Sequence, residues 1–140
     1  MSKKIYLICP VRKVSTELKK FLDDYVEEQE LQGNKVHYPP RDVNQNDETG
    51  LNIMLSHRSA MKDCNEVHAY WVPESEGSVC DLGMVLMAEK PLKLINYKSV
   101  LEWLNTHPGK SYTAVVFELD ANYKQTEAWV RISKNTNSVS

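Results

Sequence analysis

Apolar positions along the chain follow two alternating rhythms. Residues Ile5 to Val11 (IYLICPV) run almost unbroken until Pro10, as in a strand buried on both faces. Ser15 or Thr16 then caps a helix with Glu17 in its first turn. In that helix Leu18, Phe21, Leu22 and Tyr25 recur at helical spacing, and Gly33 ends it. KVHYPP predicts a short strand stopped by Pro39 and Pro40, and RDVNQNDETG a polar loop. A second helix follows from about Leu51 to Asp63. EVHAYWVP alternates and then turns wholly apolar, which predicts strand three. Gly77 to Glu89 predicts a third helix ended by Pro91, LKLIN a fourth strand, SVLEWLNTH a short helix and YTAVVFELD a fifth strand. EAWVRI adds one more short strand, and residues 134 to 140 (KNTNSVS) read as a frayed tail.

Strands that alternate with helices imply parallel βαβ units with right-handed crossovers. The expected fold is α/β: a three-layer, doubly wound sheet of about five mainly parallel strands, flavodoxin- or Rossmann-like. A chain of 140 residues without internal repeat or linker suits one domain, 1–140. In such folds the ligand sits beyond the carboxyl ends of the strands, where strand order reverses. That rule selects three loops: Pro10 to Val14, Pro39 to Thr49, and Glu74 to Ser78.

Charge and composition narrow the partners. A formal net charge of −2 gives no electrostatic case for nucleic acid or an anionic membrane. No apolar run approaches the roughly 18 residues of a membrane span, and the start, MSKKIYLICP, is too short and β-branched in its apolar part for a secretion signal. Cys9, Cys64 and Cys80 are odd in number and lack CxxC spacing, so they read as reduced thiols in a cytoplasmic protein. Cys9, Cys80, His57 and Asp81 lack the ligand spacing of zinc motifs. No metal and no cofactor is expected.

The segment GSVCDLGMVLMAEKP places one carboxylate, Asp81, inside an otherwise apolar helix. Two explanations stand side by side. Ser78-x-x-Asp81 has the form of a capping box, and an acid in a first turn suits the helix dipole. Alternatively Asp81 stands at the lip of the expected pocket, as a nucleophile or a partner for ligand hydroxyls. On that reading Gly83 lets the helix approach the sheet closely.

The order IYLICPV, then a Pro/Arg/Asp loop, then EVHAYWVPESEGSVCDLGMVLMAEKP, resembles the nucleoside 2-deoxyribosyltransferase-like superfamily. The likeness covers roughly Lys4 to Asn96, and its most specific part is the strand–Gly-Ser/Thr-x-x-acid–Leu-Gly-helix unit. The resemblance implies cleavage or exchange of an N-glycosidic bond in a nucleoside or nucleoside 5′-monophosphate. A glutamate of the family attacks the anomeric carbon; Asp81 holds that position here. The family's first-strand aromatic falls on Tyr6. Ser75, with Glu76 beside it, stands where an acid often precedes the turn, and His57 or Arg58 where another acid lies. The resemblance also implies a homo-oligomer whose sites are completed by a neighbouring subunit. Trp103, Tyr112, Phe117 and Trp129 supply aromatic surface for such contacts or belong to the core.

Several side chains join this candidate site. Arg12, Arg41 and Arg58 suit a phosphate through bidentate hydrogen bonds, and Ser78 with the backbone N–H groups of its helix start suits the same anion. Each arginine reads equally as a solvated surface charge. Asp42 is a hydrogen-bond partner for ribose or base edges, though any turn contains such residues. Cys9, Pro10, Glu74, Ser75, Glu76 and Gly77 line the selected loops. His57 has a pKa suited to protonating a leaving base, against the structural role common for a helix histidine. Tyr70 and Trp71 point to opposite faces by alternation, so at most one stacks on a base. The sequence therefore leaves three functions open. One is an N-glycosidase or deoxyribosyltransferase. The second is a protein that binds a nucleotide or ADP-ribose-like signal intact, and the third is an interaction module with a vestigial pocket.

Overall fold

The computed structural model describes residues 2–120. The expected EAWVRI strand and the tail at 134–140 lie outside the described residues. Four strands form one parallel sheet: β1 (Lys4–Ile8), β2 (Lys35–His37), β3 (Glu66–Ala69) and β4 (Leu92–Leu94). Their order is β2-β1-β3-β4. The order reverses between β1 and β3, so the crest above those two strands is the switch point.

Helices connect the strands: α1 (Thr16–Leu31), α2 (Pro39–Asp42), α3 (Leu51–Asp63), α4 (Glu76–Ala88), α5 (Tyr97–Thr106) and α6 (Tyr112–Leu119). Ser15 caps α1, its hydroxyl accepting the Leu18 N–H. β1 alternates between two cores. Ile5, Leu7 and Cys9 pack with Leu22 and Val26 of α1. Tyr6 and Ile8 pack on the other face with Met61 of α3 and Leu82 and Val85 of α4, and that core also takes Val100 of α5 and Phe117 of α6. The architecture is three-layer α/β, as expected. Tyr70 and Trp71 do part to opposite sides, Tyr70 towards α1 and Trp71 into the α4 core.

Two expectations are corrected. YTAVVFELD is not a fifth strand but α6, so the described sheet has four strands. Ser111 caps this helix by accepting the Ala114 N–H, and Thr113, Val116 and Phe117 bury one face at helical spacing. The indole N–H of Trp71 donates to Thr113 Oγ1 at 2.8 Å, fixing α6 against the end of β3. A short apolar run fits a strand or a buried helix equally; here the cap and tertiary partners decide. Of that run Asp120 alone pairs with the sheet, in an isolated parallel bridge to Leu92. The expected loop after β2 also begins with one helical turn, α2, with proline at its start.

Candidate functional site

The site is built from the middle of β1 outward. Tyr6 projects from β1 towards α3 and α4 and is fully buried. Its hydroxyl donates to Asp81 Oδ1 at 2.9 Å, across 75 residues of chain. Parallel register sets His37 of β2 beside Tyr6, their rings 5.0 Å apart. His57 of α3 meets the Tyr6 ring edge-on at 6.0 Å, and His37 Nε2 lies 3.4 Å from His57 Nδ1. Tyr6, Asp81, His37 and His57 therefore form one polar cluster between β1, β2, α3 and α4, beneath the switch point.

The capping explanation of Asp81 does not hold. Ser75, not Ser78, is the N-cap of α4, which begins at Glu76. Ser78 donates its hydroxyl to Ser75 Oγ at 2.9 Å, so the two serines satisfy one another. Asp81 lies in the second turn, on the buried face with Ser78, Leu82 and Val85, beyond the reach of the first-turn orphan N–H groups. Gly83 is exposed and meets no neighbouring atom, so α4 does not use it to approach the sheet.

Nor does Asp81 stand at the lip of an open cleft. It is 6% exposed and turned onto Tyr6. Its Oδ2 accepts no hydrogen bond from a described residue. No fully buried side-chain oxygen or nitrogen among the described residues lacks a partner, so Oδ2 keeps contact with solvent. The carboxylate thus has one oxygen tethered to Tyr6 and one without a hydrogen bond from a described residue. A groove of about 550 Å³ between α1 and α2, lined by Asp23, Val26, Tyr38 and Arg41, does not include Asp81. A hollow of about 230 Å³ touches His37, Cys64 and Lys4. That volume is below the roughly 300 Å³ at which small-molecule pockets begin.

Burial dominates the electrostatics. It raises the Asp81 carboxyl to about 7, and the Tyr6 hydrogen bond offsets only part of that rise. Tyr6 itself is driven far above the usual phenol range, by burial first and then by the Asp81 charge. The Cys9 thiol is pushed up to about 12 by burial and by Asp81, so it stays protonated and is no nucleophile. His37 and His57 are both lowered by burial, His37 also by its neighbour His57. His57 is therefore neutral near pH 7. It serves as a hydrogen-bonding partner there, and the expected role as proton donor to a leaving base loses its basis.

The remaining candidates divide by location. Arg41 is committed: it pairs with Glu30 and Asp42 and donates to the Val36 carbonyl. Asp42 receives Arg41 and the Tyr38 N–H. Neither joins the Asp81 cluster. Arg12 and Arg58 are exposed and make no ion pair among the described residues. Glu74, Glu76 and Gly77 are exposed around the start of α4, and Pro10 is half-buried at the end of β1. The sequence singled out Tyr6, Asp81 and His57, which the fold brings together. It passed over His37, because only the pairing of Tyr6 with His37 in adjacent strands shows their proximity.

Comparison with known proteins bears on the fold alone. No protein-family model and no curated protein matches the chain. Among solved structures, a conserved protein from Enterococcus faecalis V583 is similar over 86% of this chain and 89% of that one, with a TM-score of 0.58 and 18% identity. At that identity the likeness establishes a shared α/β, Rossmann- or flavodoxin-like architecture. No helix among the described residues is long and apolar enough to cross a membrane.

Proposed function

We propose that this protein cleaves or exchanges the N-glycosidic bond of a nucleoside or nucleoside 5′-monophosphate, with Asp81 as the nucleophile. The observation that carries the reading is the divided carboxylate: Oδ1 held by the Tyr6 hydroxyl at 2.9 Å, Oδ2 without a hydrogen bond from a described residue. In the proposed step Oδ2 attacks the anomeric carbon. The C–N bond breaks, its electron pair leaves with the base, and the base takes a proton from solvent. The resulting glycosyl ester is resolved by water, or by a second base in an exchange. Tyr6 fixes the rotamer of the attacking group and lowers its pKa towards the ionised form. His37 and His57, held neutral, offer ring N–H or nitrogen acceptors to sugar hydroxyls. Arg12 and Arg58, exposed and without an ion pair among the described residues, supply cations for a 5′-phosphate.

The test is release of free base from a panel of nucleosides and 5′-monophosphates, followed by chromatography. Release is expected to rise through pH 7 as Asp81 ionises. Asp81→Asn should lower it on the order of a thousandfold or more. No release from any member of the panel ends the reading. The slight exposure of Asp81 as an attacking group favours a second reading, in which a nucleotide or ADP-ribose-like signal is bound intact. Saturable binding with unaltered ligand recovered would establish that alternative.

A further inference from the structure

His68 of β3 is a buried titratable group that the proposed chemistry leaves unused; it is 4% exposed. Its strand neighbours Val67 and Ala69 point into the α4 core, so His68 points to the other face, towards α1. Tyr25, one helical turn from the buried Leu22 and next to the buried Val26, reaches it from α1. The Tyr25 hydroxyl lies 2.6 Å from His68 Nδ1. On the far side of the ring, Nε2 lies 3.6 Å from Glu66 Oε1. A carboxylate only accepts, so the ring proton belongs on Nε2 and Nδ1 accepts from Tyr25. This chain of phenol, imidazole and carboxylate holds only while the ring is neutral.

The charges around the ring come from four segments. Glu28 stands beside Tyr25 on α1, Glu66 lies on β3, Lys93 on β4, and Lys3 precedes β1. Burial pushes the His68 ring below the usual imidazole range; Glu66 pulls it back, and Lys93 and Lys3 oppose that pull. Lys3 Nζ also pairs with Glu66 at 3.3 Å, which neutralises part of that carboxylate's field. Tyr25 is raised to about 12, by burial first, so its hydroxyl keeps its proton throughout.

Protonation of His68 breaks this arrangement. Both ring nitrogens then donate, and the Tyr25 hydroxyl loses its acceptor. Charge also enters a place from which water is excluded. Lifting the helix relieves both, because it hydrates the ring. Asp23 and Glu30 tie α1 to the β2 side, through the Tyr38 hydroxyl and Arg41, so loss of the Tyr25 bond loosens the β3 side. We propose that His68 is a proton-operated latch: neutral, it holds α1 to β3 through Tyr25; charged, it lets that side of the helix lift from the sheet. The loop Pro10 to Val14, which carries Arg12, joins β1 to α1, so acid loosens this crest loop as well.

Hydrogen exchange of the full chain at pH 7.5 and pH 5, read by mass spectrometry and corrected for the intrinsic rate at each pH, tests this. The opening constant of Leu22 to Val26 should rise about tenfold or more on acidification, because a hydrated imidazole with a pKa of about 6.5 is largely charged at pH 5. His68→Gln cannot titrate and should lose most of that rise, while every other titrating group is common to both proteins. Tyr25→Phe should open more readily than wild type already at pH 7.5. Where His68→Gln fails to fold, proton NMR of the wild type decides instead: the His68 ring should titrate below about 6.5. An α1 opening constant equal at the two pH values, or a full rise in folded His68→Gln, overturns the proposal. So does unchanged exchange in Tyr25→Phe at pH 7.5, or a His68 midpoint at or above about 6.5. None of these outcomes depends on glycosidase activity.

Discussion

A carboxylate flanked by Ser78, Leu82 and Val85 on the buried side of α4 sits in an unfavourable place, and its titration shows the cost. Unfolded aspartate titrates at about 3.9; in the folded protein Asp81 titrates at about 7. Between those values the folded state holds a proton that the unfolded chain releases. The contribution of this group is therefore fully present below about pH 4 and is lost as pH rises through about 7, with a size on the order of 4 kcal/mol. Asp81→Asn keeps the shape and the acceptor for Tyr6 but cannot ionise. Urea denaturation at pH 4 and pH 8 should show the variant more stable than wild type at pH 8, by roughly 2 to 4 kcal/mol, with little difference at pH 4. An unchanged pH slope would mean that Asp81 does not titrate in this range. A residue that lowers stability at the pH where it is ionised, and that leaves one oxygen without a hydrogen bond from a described residue, matches the proposed nucleophile. Asp81 and Tyr6 were legible from the sequence. The absence of a capping role was not, since Ser75 and Ser78 lie three residues apart and only coordinates show which of them begins the helix.

At the scale of elements, strong periodicity carried through and short apolar runs did not. The α1 and α3 helices were legible from apolar spacing and their boundaries from Ser15, Gly33 and Asp63. YTAVVFELD was misread because β-branched residues favour strands locally, while Ser111 and Trp71 recruit the segment as a helix. The Trp71–Thr113 hydrogen bond gives this a measurable form. Thr113→Val keeps the volume but leaves a buried indole N–H without its acceptor, at a cost of about 1 to 3 kcal/mol. Thr113→Ser should recover most of that stability. A drop in the denaturation midpoint with Val and its recovery with Ser would assign α6's docking to this bond; equal midpoints for all three proteins would place it elsewhere.

For the molecule as a whole, the sheet order ranks its parts. β1 has a hydrogen-bonded neighbour on each side and a core on each face, and β3 is likewise enclosed by β1 and β4. β2 is an edge strand of three residues. Hydrogen exchange should find the slowest amides at Tyr6 to Ile8 and Val67 to Ala69, with Lys35 to His37 exchanging faster. Equal protection across all the strands would contradict that ranking. The same enclosure places the Tyr6–Asp81 pair within the most stable part of the fold, so its geometry is held by the sheet rather than by a loop.

Alternation of apolar runs with helical spacing determined the three-layer α/β class and the crest at which to search, because burial periodicity is a local property of the chain. It also isolated Asp81 as the one acid within an apolar helix. The tertiary structure alone decided which oxygen of that acid is tethered, that His37 joins Tyr6 and His57, that Asp81 is buried against Tyr6, and that α4 leaves an apolar side in solvent. Those facts depend on strand register and helix docking between segments up to 75 residues apart, and no short window of sequence contains that information.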